Sequence, residues 1–263
     1  MTIVFALLGA VALLHVSNIW RSVRIPSGSV RPTRVPAILY SVLILVCGAA
    51  LLFALTRWAD HEVRSDAREI AFYFIFSLAC IVTARELFAI FGISWRDHVI
   101  ERRNFAAGAV YAGFTMGATS SVAGANTGNG PGWWVVLFCA ALSTGTLLVW
   151  WISLSWIARV HEAITIERDF GCGIRVGGFL LSTGLLLGGS VAGDWKSFAK
   201  TLADFALYAW PSAALLIAFS VFERVLARRA LSKEGIGTTA SAVIAAGMIA
   251  AAAVYLFRVG IRS

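Results

Sequence analysis

Residues Ile100 to Gly124, IERRNFAAGAVYAGFTMGATSSVAG, decide the fold, because a second version stands at Ile166 to Gly189, IERDFGCGIRVGGFLLSTGLLLGG. Setting Asn104 against Asp169 aligns Phe105 with Phe170, Gly108 with Gly173, Gly113 with Gly178, Phe114 with Phe179 and Gly124 with Gly189, at a constant offset of 65 residues. In each version a charged entry gives way to about 20 small and apolar residues, enough for one helix to cross the hydrocarbon of a bilayer. A weaker third version places Thr238 where Asn104 stands, with Ala240 at the place of Ala106 and Gly247 at that of Gly113.

The rest of the chain carries the same character. Of its 263 residues, 59% are hydrophobic and only 14% charged, and the mean hydropathy is +0.80, outside the range of soluble domains. The expected fold class is all-α, a polytopic bundle of about eight transmembrane helices. Only helices or closed barrels satisfy their own backbone in lipid. Spans are expected near Thr2 to Ser17, Pro36 to Trp58, Glu69 to Ile93, Asn104 to Gly124, Trp133 to Ile157, Phe170 to Gly193, Leu202 to Leu226 and Gly237 to Phe257. The first has no basic residue before it and no cleavage pattern, so it reads as an uncleaved span.

Arginine sets the orientation. Arg21, Arg24, Arg31, Arg34, Arg96, Arg102, Arg103, Arg159, Arg168, Arg224, Arg228, Arg229 and Lys233 fall on one set of loops, and the loop from Ala125 to Gly132 has no charge. The basic loops read as cytoplasmic, which puts both termini outside the cytoplasm. The net charge of +8 follows from this asymmetry, with anionic headgroups as its partner. Tryptophans at Trp20, Trp58, Trp95, Trp133, Trp134, Trp150, Trp151 and Trp195 read as an interfacial belt.

The spans pair into hairpins of one orientation, each with a leg of large apolar residues, a charged connection and a Gly- and Ala-rich leg. The expected divisions of the single membrane domain are 1–68, an N-terminal hairpin with its outer loop, 69–132, 133–200 and the degenerate 201–263. Hairpins of one orientation are related by an axis along the membrane normal.

Several residues are candidates for more than packing. Arg85 and Glu86 fall inside the third span; an interhelical salt bridge or hydrogen bond is one reading and a solute or proton site the other. Arg175 enters its span from the cytoplasmic side and is expected to snorkel back to that interface, while Glu223 and Arg224 are expected at the interface itself. Asn104, Asp169 and Thr238 stand at helix starts, where a side-chain oxygen can accept backbone N–H groups. Gly108, Gly113, Gly117, Gly173, Gly177, Gly178, Gly184 and Gly188 are expected to let helices approach closely. Pro211 is expected to kink the seventh span. Cys47, Cys80, Cys139 and Cys172 lack any metal or disulfide spacing. No catalytic motif, cofactor site or metal site is expected, and no nucleic-acid partner.

At the Asn104-Phe-Ala-Ala-Gly and Asp169-Phe-Gly-Cys-Gly units the sequence resembles the DUF350 (UPF0719) family of bacterial inner-membrane proteins, over roughly Ile70 to Phe257. The departures are Asp169 for Asn, Gly171 and Cys172 for two alanines, and Thr238 in the third copy. The resemblance implies the bacterial inner membrane and an accessory envelope role, and carries over no catalytic residue. The function expected first is a non-enzymatic scaffold or partner subunit, with the lipid bilayer, a membrane or cytoplasmic protein and a second copy of the chain as partners. The alternative is a transporter or channel for a small cation or polyamine that uses Glu86 in the membrane. An enzyme acting on lipid is the third reading.

Overall fold

The computed structural model describes residues 34–230 and 237–259. The expected first span and the basic positions 21, 24, 31 and 233 lie outside the described residues. In chain order the helices are α1 (Val35–Trp58), α2 (His61–Ser65), α3 (Ala67–Ile90), a π-helical connector (Trp95–Glu101), α4 (Phe105–Ala125), α5 (Trp133–Ala158), α6 (Val160–Thr165), α7 (Phe170–Val191), α8 (Phe198–Ala230) and α9 (Thr238–Val259). No strand occurs among the described residues.

Six of these helices are long and apolar enough to cross a membrane: α1, α3, α5, α7, α8 over Phe198–Ala227 and α9 over Thr238–Arg258. This is the part of the expected eight that is seen. α4 is a helix of 21 residues where a span is expected, but Gly, Ser and Thr dilute its apolar character and it is not among the six.

Local chemistry sets the helix starts. Pro36 opens α1, where its missing N–H costs nothing. The Asp66 carboxylate accepts the N–H of Arg68 at 2.8 Å to cap α3, Asn104 accepts that of Ala107 at 3.1 Å and Asp169 that of Cys172 at 3.0 Å. α9 begins at Thr238 as expected. The helix of α8 continues through Pro211.

α7 occupies the centre: 78% of its apolar window is buried, against 17% for α9. It packs on α4 along one side and α9 along another, with α8 and α5 closing the rest. α1 and α3 pack on the far side of α4. α4 and α7 run parallel, since Gly173 meets Ala106 at one end and Gly188 meets Ser120 toward the other. α7 and α9 are parallel too, from Gly171 against Ser241, through Gly178 against Ala245, to Gly189 against Leu256. In lipid such contact, rather than burial from water, drives helix association. Stacked rings add to it: Phe114 lies 4.0 Å from Phe88 of α3 and Phe179 lies 5.0 Å from Phe219 of α8.

The 65-residue offset recurs in the connections. Arg103 and Arg168 both take the left-handed conformation, at φ 52° and 56°. The N–H of Asn104 donates to the carbonyl of His98 at 2.9 Å, and that of Asp169 to Ala163 at 2.9 Å. The chain therefore turns into α4 and into α7 by the same bend.

Candidate functional site

The glycines do what their missing side chains permit. A Cβ on Gly117 would stand 2.5 Å from the carbonyl oxygen of Leu180, one on Gly173 2.6 Å from that of Ala106, and one on Gly177 2.6 Å from that of Ala109. Gly113, Gly184 and Gly188 are equally tight against the facing backbone, while Gly178 faces Ala245 of α9. Gly108 is a correction: its Cβ would meet the Val99 side chain at 3.6 Å, an ordinary contact, so nothing there demands glycine.

Asn104 and Asp169 cap equivalent helices in different surroundings. Asn104 is 1% exposed, and besides capping with its oxygen it donates from Nδ2 to the Ile164 carbonyl at 2.7 Å, tying α4 to the end of α6. A carboxylate there would face that carbonyl without a proton. Asp169 is exposed, so a charged cap is tolerated and suits the positive end of the helix.

Arg85 and Glu86 part company, as neighbours about 100° apart on a helix must. Arg85 is 2% exposed; its Nε donates to the Tyr111 hydroxyl at 2.8 Å and its Nη2 to the Tyr40 hydroxyl. Its guanidinium also lies 5.1 Å from the centre of the Tyr40 ring and 5.5 Å from that of Tyr111, an attractive position for a cation. Trp95 packs against both tyrosines, at 5.5 and 5.3 Å. The arginine thus joins α3 to α1 and α4. Glu86 lies on the exposed face of α3.

Arg175 overturns the snorkelling expectation. It points between α8 and α9, where Nε and Nη2 form a fork with the two carboxylate oxygens of Glu223, at 2.6 and 2.9 Å, and Nη1 donates to Ser241 at 2.7 Å. The side chains of the pair are 5% and 4% exposed, so Glu223 is enclosed by protein rather than open to its surroundings. A carboxylate at matching depth on a touching helix gives the guanidinium planar, two-bond pairing, which holds it inside. Trp95 and Trp151, placed in the interfacial belt by sequence, are also buried; Trp151 donates its indole N–H to the Phe91 carbonyl at 3.2 Å.

At the end of the bundle opposite Arg102, Arg159 and Arg168, the loops build a cleft of ≈ 760 Å³. Its floor is a backbone knot. The N–H of Gly193 donates to Thr127 at 3.0 Å, that of Trp195 to Asn129 at 2.8 Å and that of Gly128 to Trp58 at 3.4 Å, while the N–H of Asn129 donates to the Asp194 carboxylate at 2.7 Å. Gly128 and Gly193 face each other at φ 100° and 128°, where a side chain would be strained, and a Cβ on Gly128 would also strike the Gly193 backbone. Sequence reasoning ended the second version at Gly189, yet Gly193 and Asp194 stand at the same 65-residue offset from Gly128 and Asn129. Continuing the alignment five residues further finds them.

The family described as Domain of Unknown Function (DUF350) matches residues 62–191, from α2 to the end of α7. That stretch holds both Gly-rich helices and is shorter than the range expected from the motifs, for it stops before α8 and α9. No curated protein and no solved structure matches the chain. Over α2 to α7, with its paired N-caps and backbone-to-backbone seam, the chain belongs to the DUF350 family.

Proposed function

We propose that this integral membrane protein is a non-enzymatic scaffold or partner subunit of the bacterial inner membrane, built from helical hairpins of one orientation, with both termini outside the cytoplasm. The observation that carries the reading is the closed seam of α4, α7 and α9. A path along the Gly-rich helices needs space between them, and facing backbone fills that space at Gly113, Gly117, Gly177 and Gly184. Glu86 is on the exposed face of its helix rather than turned toward the seam. Arg85 and Arg175 each join three helices through side-chain bonds, as rigidity requires. The repeat is supported by the matching bends before α4 and α7 and by the parallel run of α4, α7 and α9, and the arginine-rich end supports the cytoplasmic assignment.

The test is flux of radiolabelled monovalent cations and polyamines into liposomes holding the purified protein. The scaffold reading expects none above protein-free liposomes. Uptake that Glu86→Gln abolishes would overturn it in favour of transport.

A further inference from the structure

We infer that the apolar stretch Thr2 to Ser17 of this chain docks as a helix in the groove between α1 and α3, on the side away from α4, where Glu86 meets the arginines that follow the stretch. The inference extends the hairpin architecture of the reading above and is independent of whether the protein is a scaffold.

The repeat supplies the place. α3, the leg before α4, packs on both α4 and α1; α5, the leg before α7, packs on both α7 and α4; and α8, the leg before α9, packs on α7. Legs of this kind also touch in chain order, α3 with α5 and α5 with α8. Thr2 to Ser17 stands before α1 as α3 stands before α4, an apolar run followed by an arginine-rich connection. The same rule sets it against α1 with α3 as its neighbour. The connection allows this, because the stretch runs toward the arginine-rich end and α1 starts at that end, at Val35. Residues 18–33 reach about 55 Å when fully extended, and the nearest place costs the least closure entropy.

The groove suits an apolar helix. α1 and α3 meet through Tyr40 on Arg85 and Gly48 beside Phe74, while α3 meets α4 through Phe88 on Phe114. At about 100° per residue, turning around α3 from Phe88 past Arg85 brings Ile75, Val82 and Glu86 into line, the first two half-buried and the last exposed. On α1 the corresponding turn past Gly48 brings Ile38, Leu45 and Leu52, all exposed. These two rows face the same side.

Charge fixes the depth and separates this flank from the others. Glu86 puts a carboxylate on the groove one turn before α3 ends at Ile90, and a carboxylate in a membrane helix is set against a cation. Arg21 and Arg24 follow the stretch at the same end, and a helical side chain leans toward its own amino end, which for Arg21 is toward Glu86. The open flank of α9 holds no acidic residue along its length, and on α8 the carboxylate near that end, Glu223, is held by Arg175.

Disulfide trapping in the full-length protein, reconstituted in liposomes, tests this. The four native cysteines are replaced by alanine, and Leu45→Cys is combined in turn with Ala10→Cys, Val11→Cys, Ala12→Cys and Leu13→Cys, at matching depth from the arginine-rich end. Four consecutive positions cover every direction a helix can face. The expected result is a disulfide within the monomer, located by mass spectrometry of tryptic peptides, at one or two of the four. Its yield should be at least tenfold that of the same four positions paired with Ala250→Cys on α9. A yield no higher than with Ala250→Cys would overturn the inference, as would a link found only in the dimer, which would put a second copy in the groove. In the chain with its native cysteines, Glu86→Arg should lower the melting temperature, and adding Arg21→Glu or Arg24→Glu should restore more than half of the fall. Losses that add in both double variants would also overturn the docking. Neither readout involves flux, so this inference and the scaffold reading fail separately.

Discussion

Replacing Glu223 by alanine leaves Arg175 charged and enclosed, with only Ser241 to receive one of its five N–H groups. The wild-type pair is joined by two charge-assisted bonds at 2.6 and 2.9 Å and is shielded from water on both sides. Breaking one partner of such a pair costs about 3–5 kcal/mol, because the remaining ion keeps its desolvation penalty and loses its attraction. At about 2–4 °C per kcal/mol for a chain of this size, melting should fall by roughly 6–20 °C. The double variant Arg175→Met with Glu223→Leu removes both charges and fills the volume, and should recover most of the loss. Thermal unfolding in detergent, read by tryptophan fluorescence, compares Glu223→Ala with the wild type and gives the cycle of the wild type, Arg175→Met, Glu223→Leu and the double variant. A Glu223→Ala protein within about 1 kcal/mol of wild type, or a double variant as damaged as the two single losses added, would refute the enclosed pair.

Three further outcomes are expected. Gly177→Ala should cost about 1–3 kcal/mol, since its methyl would press on the Ala109 carbonyl, whereas Gly247→Ala, with open space around it, should be neutral or gain up to about 1 kcal/mol of helix propensity; equal melting of the two variants would contradict the seam. Asn104→Ala should cost about 1 kcal/mol or more, losing a cap and the bond to Ile164, while Asp169→Asn should be tolerated; denaturant titration compares them. Acidification should weaken the fold through His98. That ring is partly buried in the connector, accepts the Ser94 N–H at its Nδ1, and burial holds its pKa below the usual 6.5. The unfolded chain takes up the proton first, so this contribution is complete above about pH 6.5 and is lost as pH falls through the lowered folded value. The pH dependence of melting should flatten in His98→Asn, and an unchanged slope would exclude this histidine as its source.

The elements that could be read from sequence are those whose causes are local. Asn104 and Asp169 announce their helices because a cap acts within three residues, and the paired glycines announce a close approach because their spacing is helical. Arg175 could not be placed by the same means. Its partner stands 48 residues away on another helix, and a residue's lean toward its own interface says nothing about a carboxylate arriving from the side. Arg85 was visible as an intramembrane charge in need of company, but its partners are two tyrosine hydroxyls, and tyrosine inside an apolar run reads as packing. Trp95 and Trp151 are enclosed because neighbouring rings, and for Trp151 a carbonyl, surround them, and an interfacial preference read from sequence does not reveal such partners. The cleft was hidden for a different reason: its walls come from three separated stretches of chain, 59–73, 125–139 and 190–208, and only its loop backbone carries the periodic signal.

The distance between Arg175 and Glu223 along the chain also has a consequence in time. At about 5–20 residues per second of synthesis, roughly 2–10 s separate the emergence of the arginine from that of its carboxylate. During that interval Arg175 of α7 lacks its final partners, because Glu223 in α8 and Ser241 in α9 have not yet been made. The central helix of the bundle is therefore among the last to settle.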